Sequence, residues 1–343
     1  MSEKKPHRGK KVTMKDIARA AGVSQTTVSF VLNDNRDVFI SDETRERVVN
    51  TAKDLGYELR SSSSGHSVDP KAPFIGFLID EIATSVFASL SIDEAQQRAW
   101  DSGYLLQLAT SHNDKIYEED ILSKWIAEGV VGVVYGSILT RKVNPPSILK
   151  QINTVLLNCY TDDHNYPTLL PAETMGGFSA TECLIEAGCK HIAYINGEEW
   201  MEAAAERLQG YKNALSSHGL EYNDSMVKQG NFMPSGGYSA TVELLSQDIK
   251  PDGIFCANDL MAIGAYEAIK EAGLDIPGDI RIVGYDDHEL ASHLNPPLST
   301  VSLPHREMGQ FAVDELLTTQ RSQKRKLRTI RLECPLVERK SAR

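Results

Sequence analysis

Apolar positions along the chain follow two different periods. Between residues 13 and 55 they recur every three or four places: Ile17, Ala18 and Ala21, then Val28, Val31 and Leu32, then Val48, Val49, Ala52 and Leu55. That spacing puts each set on one face of a helix, so three short amphipathic helices are predicted. From Pro73 the period changes. Short apolar runs stand at Phe74–Ile79, Tyr104–Ala109, Val130–Tyr135, Thr154–Asn158, His191–Ile195, Gly253–Cys256 and Ile280–Gly284. Helical stretches lie between them, at Ala88–Asp101, Tyr117–Ala127, Met201–His218 and Leu260–Ala272. Alternating strands and helices predict parallel sheets covered by helices on both faces. The body is large for one core, and two similar α/β halves are expected.

The turn residues sharpen the first part. Thr13 followed by Asp16 is a helix-start signature. Gly22 can take the left-handed conformation that ends this helix, and Ser24 caps the next. Two short helices joined so tightly make a helix-turn-helix. Ser41 is an N-cap for the third, Asp42 and Glu43 suit the positive end of its dipole, and Gly56 stops it. The second helix opens with Gln25, Thr26 and Ser29, and Asn33 stands one turn beyond. Such residues read base edges when a helix enters the major groove: Gln pairs bidentately with adenine, and Thr packs its methyl on thymine. Lys4, Lys5, Arg8, Lys10, Lys11 and Lys15 would reach phosphates. Thr13, Ser24 and Thr27 complete the positions expected at DNA.

Charge at first argues against nucleic acid, because the net charge is -11. Its distribution reverses that. Residues 1–60 hold 12 Lys/Arg and 9 Asp/Glu, and the remaining residues hold 24 and 38. A small basic head sits on an acidic body, so DNA contact is confined to one end.

Polar and aromatic residues gather where the predicted strands end. Asp80 and Glu81 follow the first, with Ser85 and Phe87 opening the next helix; Ser111 and His112 follow the second, and Asn158 ends the fourth. Asn258 and Asp259 follow the Phe255 strand, Asp286 and Asp287 follow Tyr285, and Arg207 sits in a helical stretch. Ligands of parallel sheets bind at the carboxyl ends of strands. Planar Asn, Asp and Arg groups beside aromatic faces suit a polyhydroxylated ligand. Plain structural roles stay open for the same residues: core aromatics for Phe87 and Phe232, helix capping for Asp286 and Asp287, a surface ion pair for Arg207.

Other chemistries lack their residues. The five cysteines have no CxxC or Cys/His spacing and read as small buried thiols. The nine histidines form no HxxxH or HExxH motif, so no metal site is expected. There is no GxGxxG after the first strand and no Walker motif, hence no nucleotide cofactor. No nucleophile-base pair or opposed carboxylate pair marks an enzyme; Asp286 and Asp287 are neighbours in sequence and would not face each other across a glycosidic bond. No apolar stretch reaches the roughly 18 residues a membrane span needs, and basic Met1–Lys11 has no apolar run after it. A cytoplasmic location is expected.

The stretch Thr13–Asn33, and again Thr44–Tyr57, resembles nearly position by position the N-terminal signature of the lactose-repressor/galactose-repressor (LacI/GalR) regulators. The likeness continues through Glu186–Gly197, Cys256–Gly273, Asp279–Asp287 and Asn295–Pro304. It implies Gln25 and Thr26 as principal base readers. It implies a periplasmic-binding-protein-like body, with two doubly wound parallel-sheet lobes, three crossovers and an effector in the cleft. It implies Arg207, Asn258 and Asp286 as polar effector ligands and Phe87 and Phe232 as stacking walls. Three places depart from the family. Phe30 stands where many members carry Arg, which removes a guanine contact. Arg60–Pro70 is Ser-rich, with no leucine between Leu59 and Leu78; His66 falls where the hinge leucine that wedges into DNA would stand, so a hinge that is weakly helical or disordered when free is expected. Leu170-Pro171-Ala172-Glu173 replaces a crossover Asp, with Glu173 its expected substitute.

The expected plan is therefore a helix-turn-helix domain over 1–58, a hinge over 59–72 and an effector-binding, dimerising body over 73–343. Lobe 1 would take about 73–171 and 302–328, lobe 2 about 172–301 and 329–340. The expected function is a homodimeric repressor on palindromic operator DNA, with a sugar or sugar derivative as effector and a nucleobase as the runner-up. The alternative is a cytoplasmic sugar-binding protein or sugar-processing enzyme without operator binding.

Overall fold

A computed structural model of the chain describes residues 14–32, 40–55, 73–81, 86–321 and 328–343. The chain divides into two compact units, 1–71 and 72–343. The expected hinge over 59–72 and the stop at Gly56 lie outside the described residues.

In the first unit, α1 (Met14–Ala21), α2 (Gln25–Leu32) and α3 (Asp42–Asp54) enclose a core of Ile17, Ala18, Ala21, Val28, Val31, Val48 and Ala52. Gly22 has φ 66°, the left-handed turn that lets α2 start with only three residues between it and the end of α1. The inner face of α3 is narrower than the pattern predicts. Val48 and Ala52, one turn apart, are buried, whereas Val49 and Leu55 are each 39% exposed.

The second unit has two lobes. The first is a six-stranded parallel sheet of β1 (Phe74–Ile79), β2 (Leu105–Thr110), β3 (Gly132–Lys142), β4 (Thr154–Tyr160), β5 (Thr168–Pro171) and β11 (Thr329–Leu332), in the order β11-β5-β4-β3-β1-β2. Helices α4 (Val86–Asp101), α5 (Lys115–Ala127) and α10 (His305–Arg321) belong to it, and two apolar clusters form its core. The second lobe holds β6 (Ile192–Asn196), β7 (Val227–Gln229), β8 (Gly253–Cys256), β9 (Arg281–Asp286), β10 (Ser299–Ser302) and β12 (Leu336–Val337), in the order β12-β10-β9-β8-β6-β7. It is parallel except where β12 runs against β10. Its helices are α6 (Glu173–Glu186), α7 (Glu202–Ser217), α8 (Pro234–Leu245) and α9 (Asp259–Glu271).

The chain crosses between lobes at Ala172, at Leu303–Pro304 and at Glu333–Pro335. Backbone bonds tie the crossovers together: Ala172 N–H donates to Leu332 O and Ser302 N–H to Pro335 O, both at 2.8 Å. One boundary differs from expectation. Residues 329–332 do not open the tail of lobe 2; as β11 they pair with β5 and cover an otherwise open edge of the first sheet. The return to lobe 2 comes only after Leu332.

All five cysteines are free thiols, and burial pushes those of Cys183 and Cys189 up to about 11. Among the described residues no helix is long and apolar enough to cross a membrane, and no group of three or more His, Cys, Asp or Glu is placed to hold a metal.

Candidate functional site

A cavity of about 510 Å³ opens between the lobes, where the carboxyl ends of both sheets meet. Its volume falls in the range of small-molecule sites. Each lobe contributes one wall.

The second-lobe wall is built around Arg207. Helices α6 and α7 approach very closely there: a Cβ at Gly177 would stand 2.4 Å from Arg207 O, and one at Gly210 2.2 Å from Thr174 O. This contact sets Glu173, on the first turn of α6, against Arg207 in α7. Arg207 Nε and Nη2 donate to the two Glu173 carboxylate oxygens at 2.8 and 3.1 Å. Its Nη1 donates to Ala257 O at 2.5 Å and to Asp286 Oδ1 at 3.4 Å. The guanidinium lies 3.7 Å from the Tyr285 ring centroid. Arg207 is 4% and Glu173 2% exposed, so this is a buried, two-pronged ion pair. Burial works against the charge on Arg207, but Glu173 and Asp286 hold its pKa well above the ordinary value. Asp286 has no such pairing. Burial pushes its carboxyl up to about 7, Arg207 pulls it down and Glu173 pushes it up again.

Asn258 and Phe232 stand beside this cluster. Asn258 Oδ1 caps α9 by accepting from Met261 N–H at 2.9 Å, and its Nδ2 donates to Phe232 O at 3.0 Å. The Phe232 ring lies over Gly197, where a Cβ would come within 1.8 Å of it. Phe232 and Asp286 have φ 58° and 104°, backbone that non-glycine residues rarely adopt. Such strain costs on the order of 1–3 kcal/mol per residue and collects at functional sites. The capping role weighed for the acids at 286 and 287 is not what they do: Asp286 ends β9 inside the cavity wall, and Asp287 pairs with Arg339 at 2.7 Å.

The first-lobe wall is organised by a bulge in β3. The ladder with β4 shifts between Gly136 and Arg141, and Ile138 to Arg141 swing out to line the cavity. Asn158 holds the bulge: its Nδ2 donates to Ser137 O and Ile138 O at 3.1 Å each, and its Oδ1 accepts from Thr140 at 2.6 Å. Asp80 supports the bulge from behind. It accepts from Ser137 Oγ at 2.7 Å, from Ile138 N–H at 2.9 Å and from Arg141 at 2.8 Å.

The predicted residues divide accordingly. Glu173, Arg207, Phe232, Asn258 and Asp286 come together on the cavity. Asp80 and Ser111 do not line it: Asp80 faces the β3 bulge, and the buried Ser111 hydroxyl accepts from Asn113 N–H at 3.3 Å. Ser85 lies outside the described residues. Phe87 stands in α4, and its side chain is also outside them. Sequence reasoning missed Thr140, Arg141, Trp200, Glu202 and His305, all on the cavity. Burial pushes the His305 imidazole down to about 4, so it is neutral there. Trp200 carries a usable signal: it stands two residues before the helix bearing Arg207, in the loop that follows β6.

The head offers a second surface. Ser24 Oγ accepts from Thr27 N–H at 3.0 Å, capping α2, and the two hydroxyls share a bond of 2.8 Å. Ser41 caps α3 through Thr44 N–H at 3.4 Å. Arg47 Nε donates to Ala21 O at 3.2 Å, pinning α3 to the end of α1. With Val28 and Val31 in the core, helical periodicity puts positions 26 and 29 on the opposite arc of α2. Gln25, Thr26 and Ser29 stand on α2 with side chains outside the described set; Thr13 and Asn33 lie outside it altogether.

Comparison with known proteins matches both parts. Residues 13–58 fit the model for bacterial regulatory proteins of the lacI family, and residues 181–342 fit that for a periplasmic binding protein-like domain. The ribose operon repressor of Haemophilus influenzae is 35% identical over 329 residues, 96% of this chain and 98% of that one. The HTH-type transcriptional repressor PurR of Histophilus somni is 31% identical, covering 96% and 99% of the two chains. Among solved structures, the lac repressor dimer bound to operator and the anti-inducer ONPF is 26% identical, with a TM-score of 0.66 over 97% of this chain and 99% of that one. With a helix-turn-helix head, a two-lobed body and repressors matching it nearly end to end, the chain belongs to the LacI family of bacterial regulatory proteins.

Proposed function

We propose that this protein is a homodimeric, cytoplasmic transcriptional repressor, and that a neutral sugar or sugar derivative in the cleft between the lobes controls its hold on operator DNA. The observation that carries the choice of effector is the saturation of Arg207. Two of its nitrogens are taken up by Glu173, and its third faces Ala257 O and Asp286. Among the described residues the second-lobe wall therefore has no free cation for a phosphate or carboxylate, Arg141 on the first-lobe wall is bonded to Asp80, Ser137 and Asn113, and Asp286 and Glu202 bring carboxyl groups to the same cavity. Sugar hydroxyls suit it, since they donate to Asp286 and to Thr140 Oγ1 and accept from the second N–H of Asn258 Nδ2, while the apolar ring face stacks on Phe232. D-ribose is the first sugar to test, because a ribose operon repressor matches nearly the whole chain. The head reads operator half-sites through Gln25, Thr26 and Ser29 on α2, and two heads on one dimer match a palindrome. Effector binding changes DNA affinity only by favouring one lobe arrangement over another.

Two measurements test this. Purified protein is expected to shift a palindromic site of roughly 14 to 20 base pairs, with affinity falling steeply as salt rises. The Gln25→Ala/Thr26→Ala double variant should lose preference for that site more than its general affinity for DNA; full specificity in that variant removes α2 as the reader. A thermal-shift screen of sugars, sugar phosphates and purine bases decides the effector, because a cleft ligand raises the melting temperature by mass action. Stabilisation by sugar phosphates alone would overturn the neutral-effector reading.

A further inference from the structure

Helix α7 carries Arg207 into the cleft wall, and its first two turns also reach the other lobe. Glu202 Oε1 accepts from the Tyr160 hydroxyl at 3.0 Å and from the Lys142 backbone N–H at 3.3 Å. One turn further on, Glu206 accepts both terminal nitrogens of Arg331, each at 3.0 Å. Arg331 Nη1 also donates to Pro171 O at 3.2 Å. Lys142, Tyr160 and Arg331 all belong to the first sheet, at the ends of β3 and β4 and in β11. Two carboxylates four residues apart thus span the lobes from one helix face. Glu206 grips beside the crossovers, where β5 ends at Pro171, and Glu202 grips at the far ends of β3 and β4.

We propose that Glu202 and Glu206 are positioning residues, which lash α7 to the first lobe and so tie the place of Arg207 in the cleft to the angle between the lobes. The inference rests on the reading of the cleft as the effector site. Three features support it. The contacts join lobes that the backbone otherwise connects only at three crossovers. Glu206 and its partner Arg331 are partly exposed, so water can replace their bonds when the lobes part, as a reversible contact requires. Arg207 follows Glu206 directly, so any tilt of α7 that breaks the outer pairs also moves the guanidinium relative to Asp286. A ligand that fits the closed cleft then binds in proportion to the fraction of molecules already latched.

Amide hydrogen exchange in the full chain reads the latch without any ligand. In Glu202→Ala the Lys142 amide, which loses its acceptor, is expected to exchange at least fivefold faster. The decisive variant is Arg331→Met, which cuts the other contact. If both pairs hold one movement, it too speeds exchange at Lys142, by about two- to fivefold. If Lys142 exchange in Arg331→Met equals that of the wild type, the contacts are local and the proposal falls. Calorimetry with D-ribose adds the link to the site: Tyr160→Phe and Arg331→Met should each weaken binding about three- to tenfold. Faster exchange with undiminished D-ribose affinity also overturns the proposal, since Arg207 then does not follow the latch. If the wild type binds no sugar at all, it is the effector reading that fails, and the exchange result alone decides the latch.

Discussion

On the first-lobe wall every strong polar group is spent on its own lobe. Asp80, behind the bulge, is fully occupied by Glu81, Ser137, Ile138 and Arg141, and Asn158 by Ser137, Ile138 and Thr140. On the second-lobe wall Glu173 and Arg207 satisfy each other, but Asp286 is left with one long contact of 3.4 Å and a carboxyl pushed up to about 7. Both walls stand at the carboxyl ends of parallel strands, so position alone does not separate them. The difference lies in what each sheet does locally. The first uses its polar residues to hold a bulge open. The second pairs two charges and leaves a third group under-bonded, with a strained backbone beneath it. An under-bonded buried acid has more to gain from a ligand than a satisfied one.

The harshest way to break this comparison is Arg207→Ala. It strands the Glu173 carboxylate, 2% exposed, without its partner. Losing one member of a buried pair costs about 3–5 kcal/mol, to be measured by denaturant unfolding. Glu173→Gln/Arg207→Met, which removes both charges, should recover much of that loss. The single variant should also lose its response to effector. A cost for Arg207→Ala under about 1 kcal/mol would mean the pair is not the frame of this wall.

Asp286→Asn is the next test, and pH gives it a sign. The folded carboxyl binds its proton up to about pH 7, well above an ordinary aspartate. Between the two values the folded state holds more protons than the unfolded one, so this group's contribution is complete at low pH and is lost as pH rises through about 7. His305 acts oppositely. Pushed down to about 4, it supports folding above its ordinary pKa and loses that support as pH falls toward 4. Replacing Asp286 by Asn should therefore raise the melting temperature relative to wild type more at pH 8 than at pH 5. Effector affinity should fall about tenfold to a hundredfold at pH 8, the value of a hydrogen bond to a charged group. A parallel pair of pH-stability curves would remove Asp286 as the group that titrates.

Much of this contrast is written in the sequence, but not all of it. The seven predicted strands and four predicted body helices are present: each strand carries a short, mainly apolar run, and the helices alternate with those runs along the chain. Strand β7 is three residues of Val-Lys-Gln and has no apolar run to read. Helix α8 was hidden by Gly236 and Gly237, the latter required because a Cβ would stand 2.0 Å from Met261 O of α9. Asn258 and Asp286 are legible as polar residues beside strand ends and Arg207 only as a cation in a helical stretch, and the family likeness points to the same three. Asp80 and Ser111 met the same criterion and turned inward, because a strand-end position does not say which way a side chain faces. Arg141 was invisible for a related reason. It reaches the cavity through a register shift that no hydrophobic period announces. Glu173 was expected as a ligand, but both its oxygens are committed to Arg207, a pairing that two glycines in different helices make possible.

The mildest test is Arg141→Ala, on the first wall. The Arg141 side chain is 41% exposed and bonds to Ser137, Asp80 and Asn113. Without it Asp80 keeps Ser137 Oγ and the Ile138 and Glu81 N–H groups, so no buried charge is orphaned. A half-exposed pair of this kind contributes about 0–1 kcal/mol, and the unfolding midpoint should barely move. Effector affinity should change by less than about threefold, because Arg141 already points its donors at its own lobe. That expectation is the sharpest statement of the asymmetry, since among the described residues lining this cavity Arg141 is the one cation that water can reach. A loss of more than about tenfold in affinity, with stability unchanged, would mean that Arg141 leaves Asp80 to grip the ligand. The first wall would then be the polar reader, and Asp286 on the second would be reduced to holding Arg207 in place.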